Sequence, residues 1–285
     1  MITEFQRFDL FGKTTFVKAK IKPPYRLVAD MNDEACFFYI CEGETTMFSP
    51  TERVDMVQNE GLVLQCGTYL NEFFKNKNLD HCEAIAVHLF PEVLKRLYDK
   101  ELPDFMKDLR AIEPVSFERV KTSKLVSKYI ESLQFYFNNP ELVTDELLKI
   151  KLKELLLLLA KTDNVDIIKS LISGSYSPEA IDFKEVIESN LYNNFSLEEL
   201  SSLTNRSLSS FKRDFRKHYG STPAKYIKSR KLNRAEQLLK STDLPITQLA
   251  FETGFNDLAH FSKCFQGRFG SSPRKYRKEA KMVQS

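Results

Sequence analysis

A stretch of this chain occurs twice, fifty residues apart. Phe211-Lys-Arg-Asp-Phe215, Tyr219-Gly220-Ser221, Pro223 and Lys225-Tyr226 return as Phe261-Ser-Lys-Cys-Phe265, Phe269-Gly270-Ser271, Pro273 and Lys275-Tyr276. Seven of the 17 positions from Phe211 to Ile227 are identical to those from Phe261 to Arg277, and Tyr219/Phe269 is a conservative pair. Upstream, Leu197-Glu-Glu-Leu200-Ser matches Ile246-Thr-Gln-Leu249-Ala250 at a spacing of 49, so the second copy carries one extra residue near Gly254-Phe255-Asn256. A fixed period of this length marks a duplicated supersecondary unit.

Local signals make each copy a pair of helices. Ser196 with Glu199 forms a capping box and Phe195 with Leu200 its hydrophobic staple. Asp182 with Glu185 caps an earlier helix that buries Phe183, Val186, Ile187 and Leu191, and Pro223 and Pro245 are placed as first helical residues. A long helix after Pro223 turns Ile227, Leu232, Ala235, Leu238 and Leu239 inward. A short helix, a turn and a second helix is the unit that lays its second helix in a major groove.

At about 100° per residue, the second helix of the first copy gathers Leu208, Phe211 and Phe215 on one side and Ser209, Lys212, Arg213 and Arg216 on the other. Such a face offers donors to guanine edges and to phosphates, with Arg213 and Arg216 the best bidentate candidates. In the second copy the inward set is Leu258, Phe261 and Phe265; the outward set is Ala259, Ser262, Lys263 and Gln266, with His260 on the flank. A solvated helix face is the plainer reading of one such helix. Two copies in a basic segment favour nucleic acid.

The net charge of +3 over 285 residues hides an asymmetry. Residues 183–285 hold 19 Lys+Arg against 10 Asp+Glu; residues 1–182 hold 23 against 29. An acidic part joined to a basic one suggests that the basic part meets a polyanion. Ser173-Gly174-Ser175-Tyr176-Ser177-Pro178 punctuates the change. The expected organisation is a regulatory and dimerisation domain at 1–172 (strands about 15–90, helices about 91–172), a linker at 173–182 and a DNA-binding domain at 183–285. No apolar run approaches the roughly 18 residues that span a bilayer. The first residues carry Glu4, Arg7 and Asp9 rather than an apolar signal core, and five scattered cysteines form no CxxC pair. The expectation is a cytoplasmic protein with no membrane partner.

Residues 183–279 resemble the DNA-binding domain of the AraC/XylS transcriptional regulators. The resemblance is carried most specifically by Ile246-x-x-Leu249-Ala250-x-x-x-Gly254-Phe255-x-Asp257-x-x-x-Phe261-Ser262-Lys263-x-Phe265-x-x-x-Phe269-Gly270-x-Ser272-Pro273-x-x-Tyr276-Arg277. It implies two helix-turn-helix subdomains on one connecting helix, set into two neighbouring major grooves. The base-contacting positions it carries over are Ser209, Lys212, Arg213 and Arg216, then His260, Lys263 and Gln266. Three positions depart from the family's habit: Lys231 stands for the usual Arg before Leu232, Lys263 for Arg, and Gln266 for Lys.

The acidic part reads as short strands, Thr15–Ile21, Ala35–Cys41, Thr45–Ser49, Arg53–Gln58, Leu62–Gln65 and Glu83–Leu89, with a tight hairpin at Glu42-Gly43-Glu44. Spacing of this kind suggests a small β-barrel or jelly roll, and the segment resembles the cupin-like regulatory domain of many family members. The fold class is therefore multidomain α+β: a cupin-like barrel with following helices, then an all-α domain. Metal-binding cupins carry a close His pair plus Glu; here His81 and His88 stand alone, so neither metal nor another cofactor is expected. Helices are expected at Ser123–Phe137 and Asp145–Leu159. In the second, Leu148, Leu152, Leu155 and Leu159 form one stripe, widened by Leu147, Leu156 and Leu158. That stripe is wide enough to serve both core and partner, and the family often pairs subunits through helices in this place.

The leading reading is a promoter-binding activator, a homodimer that receives a small-molecule or protein signal in its first domain and contacts RNA polymerase. An adaptor without DNA would lack the outward Lys/Arg row. An enzyme reading, a cupin oxygenase or a DNA-alkylation repair protein, would require a metal cluster or a cysteine set as in Pro-Cys-His-Arg, and none of the five cysteines has that context.

Overall fold

The computed structural model describes residues 1–31, 34–75, 79–98, 116–120, 124–160 and 182–282. The chain divides into two compact units, Met1–Ala180 and Ile181–Ser285. The division falls within the stretch expected to be a linker, of which 173–181 lie outside the described residues.

Among the described residues, the first unit is built on ten strands: β1 (Ile2–Leu10), β2 (Lys13–Ile21), β3 (Tyr25–Met31), β4 (Ala35–Glu42), β5 (Glu44–Phe48), β6 (Arg53–Val57), β7 (Gly61–Leu64), β8 (Gly67–Phe73), β9 (Cys82–Leu89) and β10 (Phe117–Val120). They form a six-stranded sheet in the order β1-β2-β9-β4-β7-β10 and a four-stranded sheet in the order β3-β8-β5-β6. Neighbours pair antiparallel; Phe37, for instance, lies between Val87 of β9 and Val63 of β7. Alternation along β4 sets the layering. Ala35, Phe37, Tyr39 and Cys41 belong to one core with three helices, α1 (Pro91–Leu97), α2 (Lys124–Asn138) and α3 (Asp145–Ala160). Cys36 and Ile40 point the other way, into a second core with Met47, Met56, Tyr69 and Phe73 of the four-stranded sheet.

Six strands stand within a residue or two of their expected places; β1, β3, β8 and β10 are additional. Along β1 both faces are largely exposed, so its residues carry no alternation to read. Gly43 does not close a hairpin. Strand β4 lies in one sheet and β5 in the other, and Gly43, at φ +89°, is the corner between them. A Cβ there would lie 3.0 Å from that of Cys82, so the corner needs glycine for space as well as for its dihedral.

Leu148, Leu152, Leu155 and Leu159 are buried within the unit, together with Leu156. Lys151 is buried beside them: its ammonium donates to Ser132 Oγ at 2.8 Å and pairs with Glu154 at 2.7 Å, while Tyr129 donates to its carbonyl. The apolar side chains that α3 leaves exposed are Ile150 and Leu157. Sheet and α2 take the leucine stripe because burying it removes apolar surface from water, at about 1.5–3 kcal/mol per buried side chain.

The second unit is all helical: α4 (Phe183–Asn190), α5 (Leu197–Leu203), α6 (Leu208–Tyr219), α7 (Pro223–Ser241), α8 (Ile246–Glu252), α9 (Leu258–Phe269) and α10 (Pro273–Met282). The capping box at Ser196 and Glu199 is present, and Asp182 caps α4 by accepting from the Lys184 amide. Pro223 opens α7 as its first helical residue; Pro245 is instead the N-cap of α8. Gly220 and Gly270 end α6 and α9 in the left-handed conformation. One core gathers Phe183, Ile187, Leu191, Leu200, Phe211 and Phe215, the other Leu232, Ala235, Leu239, Leu249, Phe255, Phe261 and Phe265. Helix α7 serves both, lending Tyr226 and Ile227 to the first and Leu232, Ala235 and Leu239 to the second. Leu258, read as inward, is exposed at the start of α9, whereas its counterpart Leu208 at the start of α6 is half-buried.

Candidate nucleic-acid interface

Each α5/α6 and α8/α9 pair is a helix, a sharp turn and a second helix. In the first, Asn205 takes the left-handed turn position at φ +50°; in the second, Gly254 takes it at φ +79°. The second turn runs Gly254-Phe255-Asn256 before its cap Asp257, the first Asn205-Arg206 before Ser207, which places the extra residue where the spacing of 49 put it.

Phe211 and Phe215 pin α6 by its inner face, leaving Ser209, Lys212, Arg213 and Arg216 exposed on the other. The Arg213 side chain is 75% exposed and only brushes Asp214, at 3.7 Å. Asp214 is held by Arg206 at 3.1 Å, whose guanidinium lies over the Phe183 ring. Among the described residues, no carboxylate pairs with Lys212 or Arg216. Their charge is therefore free to meet an anion. Lys212, Arg213 and Arg216 also line a notch of about 450 Å³ with Leu197 and Thr222-Pro223-Ala224, at the start of α7. Thr222 caps that helix without a side-chain hydrogen bond, so the amides of its first turn add to the positive potential. Recognition-helix periodicity alone does not reveal this contribution from α7.

Helix α9 is pinned by Phe261 and Phe265 and exposes Ala259, His260, Lys263 and Gln266; Ser262 is half-buried. The Asp257 carboxylate accepts from the His260 amide at 2.6 Å, and the His260 ring reaches Cys264 Sγ at 3.3 Å. Arg268, farther along, donates to Asn233 of α7 at 2.7 Å. The second reading face thus keeps one free lysine where the first keeps three cations.

Two protein-family models match this chain. A helix-turn-helix domain covers residues 200–279, and the ExsA N-terminal regulatory domain covers residues 35–171. Residues 200–279 form an AraC-type helix-turn-helix domain. This AraC-type chain is 38% identical to the uncharacterized HTH-type transcriptional regulator YbfI of Bacillus subtilis over 76 residues, 27% of either protein. It is 21% identical to the virulence regulon transcriptional activator VirF of Yersinia enterocolitica over 241 residues, 84% of this chain and 86% of VirF. Among solved structures, unsaturated fatty acid bound ToxT from Vibrio cholerae aligns over 93% of this chain and 95% of its own, at 12% identity and a TM-score of 0.40.

Each histidine of the first unit lies beside one carboxylate. His81 Nε2 lies 2.8 Å from Glu42, and His88 Nδ1 lies 2.9 Å from Glu34. His81 precedes β9 rather than lying on it. Among the described residues, no three His, Cys, Asp or Glu side chains come together as a metal site, and no helix is long and apolar enough to cross a membrane.

Proposed function

We propose that this AraC-type regulator is a cytoplasmic activator that binds promoter DNA through α6 and α9 in two adjacent major grooves. The observation that carries this reading is the exposed cationic face of α6, with Lys212, Arg213 and Arg216, repeated in weaker form on α9 and joined to it by α7. Ser209, Lys212, Arg213 and Arg216 read one groove; His260, Lys263 and Gln266 read the next. The two-sheet first unit serves as a cupin-like jelly roll that receives a small-molecule or protein signal and catalyses no reaction. Two subunits pair through the α2/α3 layer. The apolar side chains available for pairing are the exposed ones, Ile150 and Leu157 of α3 with Leu125 and Phe135 of α2, while Leu148, Leu152, Leu155 and Leu159 hold α3 in place from behind. A homodimer then gains affinity by linkage and presents a surface to RNA polymerase.

The test is hydroxyl-radical footprinting of the full chain on its selected site. Each protomer is expected to protect two patches on one face of the duplex, about one helical turn apart, and binding is expected to weaken steeply with salt as phosphates are neutralised. Protection of a single groove, or affinity indifferent to salt, would overturn the reading.

A further inference from the structure

Lys231 stands in the middle of α7, where that helix passes from the first helix-turn-helix to the second. Its ammonium donates to the carbonyl of Gly254 at 2.7 Å and to that of Asn193 at 3.4 Å. Gly254 follows the last turn of α8, and Asn193 follows the last turn of α4. Both carbonyls lie where the aligned peptide dipoles are negative, so one cation serves two helix ends. Burial pulls its pKa below the ordinary lysine value, and among the described residues it has no carboxylate partner. A half-buried ammonium in such a place costs stability unless carbonyls satisfy it, and the two that do belong to different halves of the unit.

Two other contacts converge on the same place. A Cβ at Gly254 would lie 2.5 Å from the carbonyl oxygen of Tyr192 and 2.8 Å from Nζ of Lys231, so the turn of the second helix-turn-helix presses on the segment that follows α4 with no room for a side chain. Beside it, the Asn194 amide donates to the Asn256 side-chain carbonyl. Residues 192–194 and 254–256 are thereby joined directly, and the lysine lies across the joint.

We propose that Lys231 is a positioning residue that holds the two helix-turn-helix units in one relative orientation and so sets the spacing of the two half-sites the protein accepts on DNA. The proposal rests on the two-groove reading above. Lys231 itself touches no base; it acts through the angle between α6 and α9. Without the joint, α7 alone connects the units and each recognition helix can follow its own half-site.

The experiment compares the full chain with Lys231→Met and Lys231→Arg on the selected duplex, on duplexes with one base pair added or removed between the half-sites, and on each half-site alone, with circular dichroism to follow folding. The wild type is expected to lose about tenfold or more in affinity on respacing, as linked sites do when geometry no longer matches. Lys231→Met is expected to lose no more than about threefold on the same duplexes while binding single half-sites as the wild type does, because coupling and contact are separable. Lys231→Arg, which keeps a cation, is expected to restore the discrimination. Should Lys231→Met fail to fold, Asn256→Ala removes only the exposed amide bridge and is expected to relax spacing in the same direction. Lys231→Met, or in its place Asn256→Ala, discriminating as sharply as the wild type would overturn the proposal, as would a wild type indifferent to respacing. A wild type that prefers no sequence at all would instead overturn the two-groove reading.

Discussion

The hydroxyl of Tyr226 donates to Glu188 across 3.1 Å, tying the first turn of α7 to α4. The relationship is repeated fifty residues later, where Tyr276 of α10 donates to Glu236 of α7 at 2.6 Å. In each case a cation completes the group: Arg230 lies 3.0 Å from Glu188, and Lys240 lies 2.6 Å from Glu236. Helix α7 thus closes one repeat with its first half and opens the next with its second. That is why a single helix can hold two reading heads.

Tyr219 shares this arrangement, its ring tilted against that of Tyr226 with centroids 4.4 Å apart. Burial, with Glu188 nearby, raises its phenol pKa, and burial with the hydrogen bond to Glu188 raises that of Tyr226. Phenols in the unfolded chain ionise near about 10 while these stay protonated in the folded one, so their contribution is intact below that pH and is lost as pH rises above it. Urea midpoints followed by circular dichroism from about pH 9 to pH 11 are expected to fall, and to fall less steeply in Tyr219→Phe. An equal slope in the variant would count against the assignment.

The two reading faces are expected to contribute unequally. Arg213→Ala is expected to cost about 1–3 kcal/mol on the selected site and to relax base preference there. Gln266→Ala is expected to cost less, since its helix exposes Lys263 beside neutral neighbours. Electrophoretic titration of both variants, with site selection, checks the order; a more restricted second half-site would reverse it.

Only one of the five cysteines is expected to react in the native protein. Cys36, Cys41, Cys66 and Cys82 are buried, and burial pushes the thiols of Cys41 and Cys82 up to about 12. Cys264, on α9, is partly exposed. Iodoacetamide at pH about 8 is expected to modify Cys264 alone, since only a thiolate attacks, and all five in denaturant. Mass spectrometry of the native reaction gives the count, and protection of Cys264 by DNA would place α9 in the interface.

The two faces of α3 are expected to separate stability from assembly. Leu152→Ala is expected to destabilise by about 2–5 kcal/mol, as truncation of a fully buried leucine does. Ile150→Lys with Leu157→Lys is expected to leave the melting temperature close to wild type and to lower the mass in solution. Light scattering checks it; a double variant of unchanged mass would remove this face from subunit pairing.

The helical half was legible in the sequence because its signals are local. Capping at Asp182 and Ser196 and the paired Phe211/Phe215 and Phe261/Phe265 depend on neighbours within one or two turns, and the repetition of the phenylalanine pairs at fifty exposes them. The outward placement of Lys212, Arg213 and Arg216 follows from the same periodicity. Tertiary structure decided what depends on distant partners. Gly43 reads as a hairpin but turns a corner, because which sheet β5 joins is settled by β6 and β8. Helix α3 announces an apolar surface wider than one seam, yet only the packed unit shows which leucines the sheet consumes and that Ile150 and Leu157 remain outside. In the sequence Lys231 shows only as a lysine where the resembled family usually has Arg. Its meeting with Asn193 and Gly254, 38 and 23 residues away, exists only once two helix ends have been brought together. Periodicity records which side of a helix faces inward; it carries no record of what stands opposite.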